Sequence, residues 1–319
     1  MAIKTAIIGC GIMGRRMLTH MLIHPEYDPA ILWDSNQTAL ALAQKTAPKS
    51  EIAQTAAEAM AHAELVYLAC PPVARKAYAM EAARLGKAIF LEKPLGVDIA
   101  ESEALVAAIH RHAVPTAVNF TQASGPALQS VSQSISDGAL GDLVGVDIVI
   151  TYSAWPRAWQ IEADWLRFRA EGGMTREVLS HFLFFSERLL GPLQMDFSAP
   201  SYPEDPRLCE TALLARLSSS RRQPVNILAS VGGAQPDRQE LTVKGTRKSR
   251  RISDFYIDAA SDGGPFEELY ERPSDPRAAS LKAQLDDLLL CISGEPHHLA
   301  SLDEALRVQK LVEQLLQNP

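Results

Sequence analysis

Over its first 120 residues the chain alternates short apolar runs with longer amphipathic segments. The apolar runs cover residues 4–9, 30–34, 65–70, 87–94 and 115–120, and the helical segments cover residues 12–23, 38–46, 73–85 and 100–112. Short links between alternating strands and helices are typical of a parallel sheet with helices on both faces. The sequence therefore predicts a doubly wound α/β domain, of the Rossmann type, over residues 1–122.

The pattern changes after this first part. A strand over residues 143–152 is followed by several strand-like runs that lack long helical crossovers, which favours an antiparallel sheet. Further helices are predicted over residues 126–136, 174–190, 277–293 and 302–317. We expect a second, α+β domain over residues 123–319, built on a large and mostly antiparallel sheet. Its C-terminal helices are able to pack back on the first domain. A length of 319 residues also favours two domains, each with its own hydrophobic core.

Charge and cysteine content limit the partners. The formal net charge of −7 argues against a general affinity for nucleic acid or acidic membranes. No apolar run reaches the roughly 18 residues that span a bilayer. The four cysteines are far apart in sequence, which favours reduced thiols and a cytoplasmic protein. We expect a small-molecule substrate and no nucleic-acid or membrane partner.

The segment "GCGIMG" joins the first strand to the first helix. Gly9 permits a tight turn, Gly11 lets the backbone approach a pyrophosphate, and Gly14 lets the helix pack closely on its strand. Ile12 and Met13 open the helix, whose unbonded N–H groups face the phosphates. The spacing predicts a dinucleotide site, although a glycine turn without a ligand has the same pattern.

Asp34 ends the second predicted strand and supplies the acid that this pattern requires. Its carboxylate can accept hydrogen bonds from the hydroxyls of the adenosine ribose, and it repels a 2′-phosphate. We therefore expect NAD as the cofactor. NADP stays open because Arg15 and Arg16 lie near the loop.

Glu92 and Lys93 lie in "FLEKPLG", at the carboxyl end of a predicted parallel strand, which is the edge where ligands bind in open α/β sheets. A lysine beside a cofactor can polarise a carbonyl or hydrogen-bond a reacting hydroxyl. A surface ion pair between these two residues is the alternative.

The segment "EGGMTREVLSHF" carries Glu177 and His181 four residues apart, so both face the same side of a helix. A carboxylate can fix the tautomer of a histidine for acid–base work. Gly172 and Gly173 predict a flexible entry to this helix. The alternatives are a buried structural histidine and a zinc pair, for which the sequence shows no third ligand, so we expect no metal.

Together these motifs resemble the glucose–fructose oxidoreductase and inositol dehydrogenase family (Gfo/Idh/MocA). The likeness rests on "GCGIMG", Asp34, "EKP" and the glycine-led helix with His181, and on "ACPP", "GALGDL" and "LDEALRVQKLVEQL" in the same order. The resemblance implies hydride transfer between a nicotinamide and a carbon bearing a hydroxyl or carbonyl. It also implies a homodimer or homotetramer, formed through the open face of the C-terminal sheet.

The resemblance assigns roles to individual residues. Lys93 would contact the reacting oxygen, His181 would be the acid or base, and Glu177 stands where the family more often has aspartate. Cofactor contacts would come from Gly9, Gly11, Ile12, Met13, Gly14, Asp34, Cys70, Pro71, Glu92 and Lys93. Taking the residue types of the chain into account as well, we expect substrate contacts from Lys93, Asn119, Trp155, Arg157, Trp165, Arg176 and His181. Gln122 lies where an arginine is frequent in the family, a departure that bears on the sugar-type substrate.

Residues 152–173 hold three of the four tryptophans together with Arg157, Arg167 and Arg169. Aromatic faces suit the C–H surfaces of a ring, and arginines suit a carboxylate or phosphate. A packed loop with arginines stacked on the indoles explains the composition equally well.

The sequence thus predicts an NAD(P)-dependent dehydrogenase or reductase that acts on the CH–OH groups of a small polar substrate: a sugar, cyclitol, sugar acid or related ring compound. Two alternatives share the fold. One is a dinucleotide-binding sensor without catalysis, and the other is a reductase of an imine or a double bond.

Overall fold

The computed structural model describes residues 2–317 and divides into two compact units. The first extends to Phe120 and includes Leu281–Leu306, while the second comprises Thr121–Ser280 and the chain from Arg307 onward. None of the helices within residues 2–317 is long and apolar enough to cross a membrane.

A parallel sheet forms the centre of the first unit. Within the described residues it has six strands in the order β3-β2-β1-β4-β5-β6. They are β1 (Ile3–Ile8), β2 (Tyr27–Trp33), β3 (Glu51–Ile52), β4 (Leu65–Leu68), β5 (Ala88–Glu92) and β6 (Thr116–Asn119). The order reverses beside β1, so the carboxyl ends of β1 and β4 flank the crevice where such sheets bind ligands.

Helices follow the strands of this sheet, as the alternation in the sequence predicted. They are α1 (Ile12–Ile23), α2 (Gln37–Thr46), α3 (Ala56–Ala61), α4 (Pro72–Arg84) and α5 (Ile99–His112). The last part of α8 (Pro276–Ile292) also belongs to this unit. Its Leu281, Leu285 and Leu288 join the core formed by β1, β4 and α1.

The second unit contains a larger sheet, which among the described residues has eight strands in the order β14-β13-β12-β11-β7-β10-β9-β8. They are β7 (Leu143–Tyr152), β8 (Leu193–Ser201), β9 (Ala212–Ser219), β10 (Pro224–Val231), β11 (Arg238–Gly245), β12 (Ser249–Ser253), β13 (Ile257–Ser261) and β14 (Glu267–Glu268). Neighbouring strands are antiparallel except β7 and β10, which pair in parallel. The sheet is therefore mostly antiparallel, as predicted.

Helices α6 (Pro126–Ser136) and α7 (Ser180–Leu190) belong to the second unit, and α9 (Leu302–Leu315) closes the chain. Side chains of α7 such as Phe182, Leu183 and Phe185 are fully buried. Alternate residues of β9 and β10 are buried, while Leu214 and Leu228 between them are about half exposed (51% and 50%). The sheet thus has one covered and one open face.

Candidate functional site

The loop between β1 and α1 places its three glycines where a larger residue would not fit or would obstruct a ligand. A Cβ on Gly14 would lie 1.8 Å from the Gly9 carbonyl oxygen, and a Cβ on Gly9, whose φ is +99°, would lie 2.6 Å from the backbone nitrogen of Cys70. A Cβ on Gly11 would meet nothing within 4 Å. Gly11 is the N-cap of α1, without a side-chain cap and without an acid in the first turn. Ile12 and Met13 are half-buried beside it. This open helix N-terminus suits a pyrophosphate.

Asp34 directly follows β2 and is fixed by two backbone groups. Its Oδ2 accepts a 2.6 Å hydrogen bond from the Cys10 N–H, and its Oδ1 accepts one of 2.7 Å from the Asn36 N–H. Each carboxylate oxygen keeps a further lone pair. The side chain is half-buried, so it can bind the hydroxyls of a ribose placed at this edge.

Two aromatic residues near Asp34 were missed by sequence reasoning. The rings of Trp33 and Tyr78 lie edge to face with their centroids 5.5 Å apart. Burial is the main factor that raises the pKa of the Tyr78 hydroxyl, and the charges of Cys70 and Asp34 add to it. The signal available in the sequence was Trp33 itself, next to the acid that ends β2.

Cys10 and Cys70 line this region as buried thiols. Burial raises the pKa of Cys10 to about 12 and also raises that of Cys70. A thiol with such a pKa holds its proton at neutral pH, so Cys10 is an inert small side chain under the loop. Pro71, the N-cap of α4, is exposed.

Glu92 ends β5 as a buried carboxylate, 5% exposed, and not as half of a surface ion pair. Its Oε1 accepts hydrogen bonds from the Tyr67 hydroxyl and, at 2.7 Å, from the Asn119 side-chain amide. Burial raises the pKa of Glu92, while these hydrogen bonds and the charges of Lys93 and Arg75 act in the opposite direction. Asn119 itself is buried, and its Oδ1 has no hydrogen-bond partner.

Arg75, on α4, fixes the backbone around Lys93. Its guanidinium donates to the carbonyl oxygens of Glu92 and Pro94, on either side of Lys93, and at 2.6 Å to that of Cys70. The side chain is buried, which makes these charge-assisted bonds strong. Lys93 is half-buried at the end of β5. Sequence reasoning did not identify Arg75, because its partners are backbone atoms.

In the second unit, the segment that leads to α7 is wound as a π-helical turn over Thr175–Leu179. Such turns occur often at functional sites. The glycines before it are tightly packed, so the predicted flexible entry is wrong. A Cβ on Gly172 would lie 2.3 Å from the Leu166 carbonyl oxygen, and one on Gly173 2.4 Å from the Glu210 carboxylate.

The Glu210 carboxylate fixes the start of this helix by accepting a 2.7 Å hydrogen bond from the Thr175 N–H. The side chain is 2% exposed, and burial raises its pKa.

Glu177 lies in the π-helical turn and contacts the tryptophan–arginine segment, residues 152–173. Its Oε1 accepts a 3.1 Å hydrogen bond from the Gln160 amide and lies 3.8 Å from Arg157 Nη2. Arg157 also donates to Gln160 Oε1 at 2.8 Å. Glu177 is therefore held in an ordered polar cluster with Gln160, which sequence reasoning missed.

The tryptophan–arginine segment is packed, with its main cation stacked on aromatic rings. The Arg157 guanidinium lies 4.7 Å from the ring centroid of Trp159, 5.4 Å from that of Tyr152 and 5.6 Å from that of Trp155. The Trp155 indole donates at 3.0 Å to the Leu166 carbonyl. Trp165, in a short 3₁₀ turn, is half-buried.

A cleft of about 330 Å³ nevertheless opens beside this segment. Trp155, Arg157 and Arg167 line it together with Leu208 and Thr211.

The side chain of Arg176 is held by hydrogen bonds to other parts of the second unit. Its guanidinium forms two 2.7 Å bonds to the Glu313 carboxylate and donates to the carbonyls of Arg169 and Gly172. It is 7% exposed. Four of its five N–H groups therefore already have protein partners, and a contact between Arg176 and substrate stays a prediction.

His181 lies in the first turn of α7 and is 5% exposed. Its ring meets the ring of Phe255 edge to face, with centroids 5.4 Å apart and planes at 86°.

The loop after Phe120 holds further buried polar atoms. Both amide atoms of Gln122, which is 3% exposed, and the hydroxyl of Ser124 have no hydrogen-bond partner. Buried polar groups of this kind cost about 1–3 kcal/mol each unless a ligand or water satisfies them.

No cluster of three or more His, Cys, Asp or Glu side chains suited to a metal ion occurs in the described part of the chain.

The first unit thus has the glycine loop, the open helix N-terminus and the fixed acid of a Rossmann dinucleotide site, and these residues fit an NAD-type cofactor. Residues 3–120 match the family model described as "Oxidoreductase family, NAD-binding Rossmann fold" (GFO_IDH_MocA). Residues 3–120 are therefore an NAD-binding Rossmann domain of the Gfo/Idh/MocA type.

Two curated relatives illustrate the likeness. An uncharacterized oxidoreductase (sll0816) of Synechocystis sp. is 28% identical over 201 residues, which is 60% of this chain and 52% of the relative. Inositol 2-dehydrogenase of Rhizobium meliloti is 30% identical over 137 residues, which is 43% of this chain and 39% of the relative. The chain therefore spans about half, or less, of the length of the curated relatives it matches.

Solved structures extend the match in fold to almost the whole chain. The WlbA dehydrogenase from Bordetella pertussis, solved with NADH and UDP-GlcNAcA, superposes with a TM-score of 0.83 over 99% of this chain and 95% of that protein. The sequences are 18% identical, so this match shows a shared fold.

Proposed function

We propose that this oxidoreductase transfers a hydride between NAD and a carbon bearing a hydroxyl or carbonyl, on a small polar substrate such as a sugar, cyclitol or sugar acid. The observation that carries the proposal is the arrangement at the end of β5. The backbone of Lys93 is held on both sides by the buried Arg75, and the preceding Glu92 is buried. A lysine fixed at the ligand-binding edge of an NAD-binding sheet is placed to contact a reacting oxygen.

The preference for NAD over NADP rests on Asp34. Its orientation is set by the N–H groups of Cys10 and Asn36, which leaves acceptor capacity on both oxygens. These lone pairs suit ribose hydroxyl donors, whereas a 2′-phosphate is repelled by the charge. Trp33 and Tyr78 give the adenosine an apolar neighbourhood on the same side.

The reaction divides between three side chains. A bound nicotinamide would supply the hydride acceptor for oxidation and the hydride donor for reduction. Lys93 hydrogen-bonds the reacting oxygen, and His181 takes its proton in oxidation or gives it back in reduction. Glu177, held by Gln160 and Arg157, keeps a carboxylate near the start of α7 that orients and stabilises the charged imidazole.

Substrate recognition is proposed for polar groups that lack protein partners and for the aromatic segment. Asn119 Oδ1, the Gln122 amide and the Ser124 hydroxyl are buried acceptors and donors suited to neutral hydroxyl or carbonyl groups. The cleft beside Trp155 and Arg157 offers apolar and cationic surface, and Trp165 belongs to the same segment. The sugar and cyclitol class also agrees with the inositol 2-dehydrogenase relative, named for such a substrate.

The open sheet face is proposed as a contact between copies of the chain, giving a homodimer or homotetramer. Leu214 pairs with Leu228 in the sheet, and Leu228 pairs with Val149, which forms an apolar row. Phe197 on the adjacent edge strand β8 is 46% exposed. An apolar row of this kind on a solvent-facing sheet is typical of an interface.

The test is an activity screen with matched variants. The purified protein is incubated with NAD⁺ or NADP⁺ and a panel of polyols, cyclic diols and sugar acids, while the near-ultraviolet absorbance of the reduced cofactor is followed. Lys93→Met is compared with Lys87→Met, a lysine before the opposite end of β5. His181→Asn is compared with His110→Asn, an exposed histidine that lies 3.2 Å from Asp303. We expect loss of turnover in the first variant of each pair alone.

Binding of NADH without turnover on any hydroxyl or carbonyl compound would contradict the proposal. That outcome would favour a sensor, or a reductase of imines or double bonds, which a second panel of such compounds distinguishes.

A further inference from the structure

The turn between β12 and β13 has an unusual backbone for its sequence. It is closed by a 3.1 Å hydrogen bond from the Tyr256 N–H to the Ser253 carbonyl. Its two central residues, Asp254 and Phe255, have φ angles of +49° and +68°. This left-handed region favours glycine and asparagine, and it costs other residues about 1–2 kcal/mol. A phenylalanine is therefore held where the backbone disfavours it.

The Phe255 ring offsets that cost by its contacts. It meets the His181 ring edge to face at 5.4 Å, and it packs against Phe182 at 5.2 Å with the planes at 30°. Aromatic pairs at such distances contribute about 0.5–1.5 kcal/mol each beyond the area they bury. A turn needed only to reverse the chain would be better served by glycine, so the ring accounts for the choice of residue.

The contact also limits the motion of His181. The histidine is 5% exposed and lies in the first turn of α7, and its neighbour Phe182 is packed against the same phenyl ring. The Phe255 ring, with its centroid 5.4 Å away and its plane at 86° to the imidazole, occupies space directly beside the His181 ring. A hydrocarbon ring holds the imidazole plane without offering a proton acceptor or donor that would compete for its nitrogens.

We propose that Phe255 is a positioning residue for His181: from a strained turn, its ring fixes the imidazole plane in which the acid–base nitrogen is presented. This rests on the role of His181 in the proposed function. The left-handed backbone and the contact with α7 occur at the same residue, so the strain is held where the ring packs.

The test combines two measurements on Phe255→Leu, Phe255→Tyr and Phe255→Gly. The first is the NMR spectrum of the histidine ring protons without cofactor, with the His181 signals assigned by their loss in His181→Asn. The second is kcat and KM on the best substrate of the panel. Phe266→Leu is the matched control, because its ring stacks on Arg251 in the same sheet and not on a histidine.

Phe255→Leu is expected to move the His181 ring-proton signals and to lower kcat about tenfold, equivalent to about 1.4 kcal/mol, with KM little changed. Phe255→Tyr is expected to keep both the His181 ring-proton signals and kcat close to the wild type, because tyrosine retains the aromatic ring. Phe255→Gly lowers kcat like the leucine variant and, by suiting the turn backbone, keeps the protein folded. Phe266→Leu changes neither reading.

Unchanged His181 signals and kcat in Phe255→Leu or Phe255→Gly, with His181→Asn inactive, would overturn this proposal and leave the proposed function intact. Full activity in His181→Asn would instead overturn the proposed function, and with it the assigned purpose of the contact. A loss of kcat in Phe255→Tyr as large as that in Phe255→Leu would also contradict the proposal, because the aromatic ring would then not be what positions His181.

Discussion

The Asp34 carboxylate accepts a 2.6 Å hydrogen bond from the backbone N–H of Cys10. This bond connects the acid at the end of β2 to the glycine loop. Cys10 therefore helps to set both the direction of the Asp34 carboxylate and the geometry of the loop that faces the phosphates. The sequence spacing of Gly14 and Asp34 predicted a ribose acid, but the link to Cys10 became visible only in the fold.

Asp34→Asn should change the cofactor preference. The amide keeps the size of the side chain and loses its charge, so the dissociation constant of NADH should rise about tenfold, equivalent to about 1.4 kcal/mol, while that of NADPH falls. Fluorescence titration with both reduced cofactors measures the two constants. An unchanged ratio of the two would mean that Asp34 does not face the ribose.

Arg75→Met should loosen the segment around Lys93. The substitution leaves the carbonyl oxygens of Cys70, Glu92 and Pro94 without their buried donor, and we expect a loss of about 2–4 kcal/mol in the free energy of unfolding. Denaturant unfolding measures this loss. The control is Arg84→Met on the same helix. Arg84 is an exposed arginine paired with Glu81, and this variant should unfold like the wild type. Equal midpoints for the two variants would refute a structural role for Arg75.

Much of the fold could be predicted from the sequence, because burial on both faces of a parallel strand leaves an apolar run. The failures have physical causes. Strand β12 lacks a clear apolar alternation because its inward-facing Arg250 forms a buried ion pair with Asp258 on β13. Strand β3 has only two residues and α3 only six, too few for a periodic signal.

For the candidate site, the sequence predicted which residue types lie at the strand ends, but it did not predict which side chains contact one another. The network of Glu92 with Tyr67 and Asn119 joins three strands, and only sheet register brings them together. Arg176 illustrates the opposite case: a charged residue on the predicted site helix pairs with Glu313, far along the chain.

Glu92→Gln should alter the pH dependence of stability. Burial raises the pKa of Glu92, so the folded state binds its proton more tightly than the unfolded state. The wild-type free energy of unfolding should therefore fall as the pH rises from the ordinary glutamate pKa of about 4.3 through the raised value, by at most about 1.4 kcal/mol per pH unit. The amide oxygen of glutamine can still accept from Tyr67 and Asn119, and the variant should lack this component. Denaturant unfolding across that pH range gives the free energy of unfolding against pH for the wild type and for Glu92→Gln. Parallel curves would show that Glu92 does not contribute to this pH dependence.

Leu228→Glu should disrupt the proposed contact between copies. A charge in the centre of the apolar row formed with Leu214 and Val149 is costly to bury between two sheets. Sedimentation velocity should show an assembly for the wild type and a monomer for the variant. Val144→Glu, at an exposed residue near the start of β7, serves as the control. A wild-type monomer, or an assembly unaffected by Leu228→Glu, would exclude this face.

The most direct measurement of the central claim is the rate of NADH formation by wild type, Lys93→Met and His181→Asn at saturating substrate and cofactor. Acid–base groups of this kind contribute about 10²–10⁴-fold, so each variant should lose at least a hundredfold in kcat while still binding NADH with near wild-type affinity. Turnover within a few-fold of the wild type in either variant would contradict the assignment of that residue.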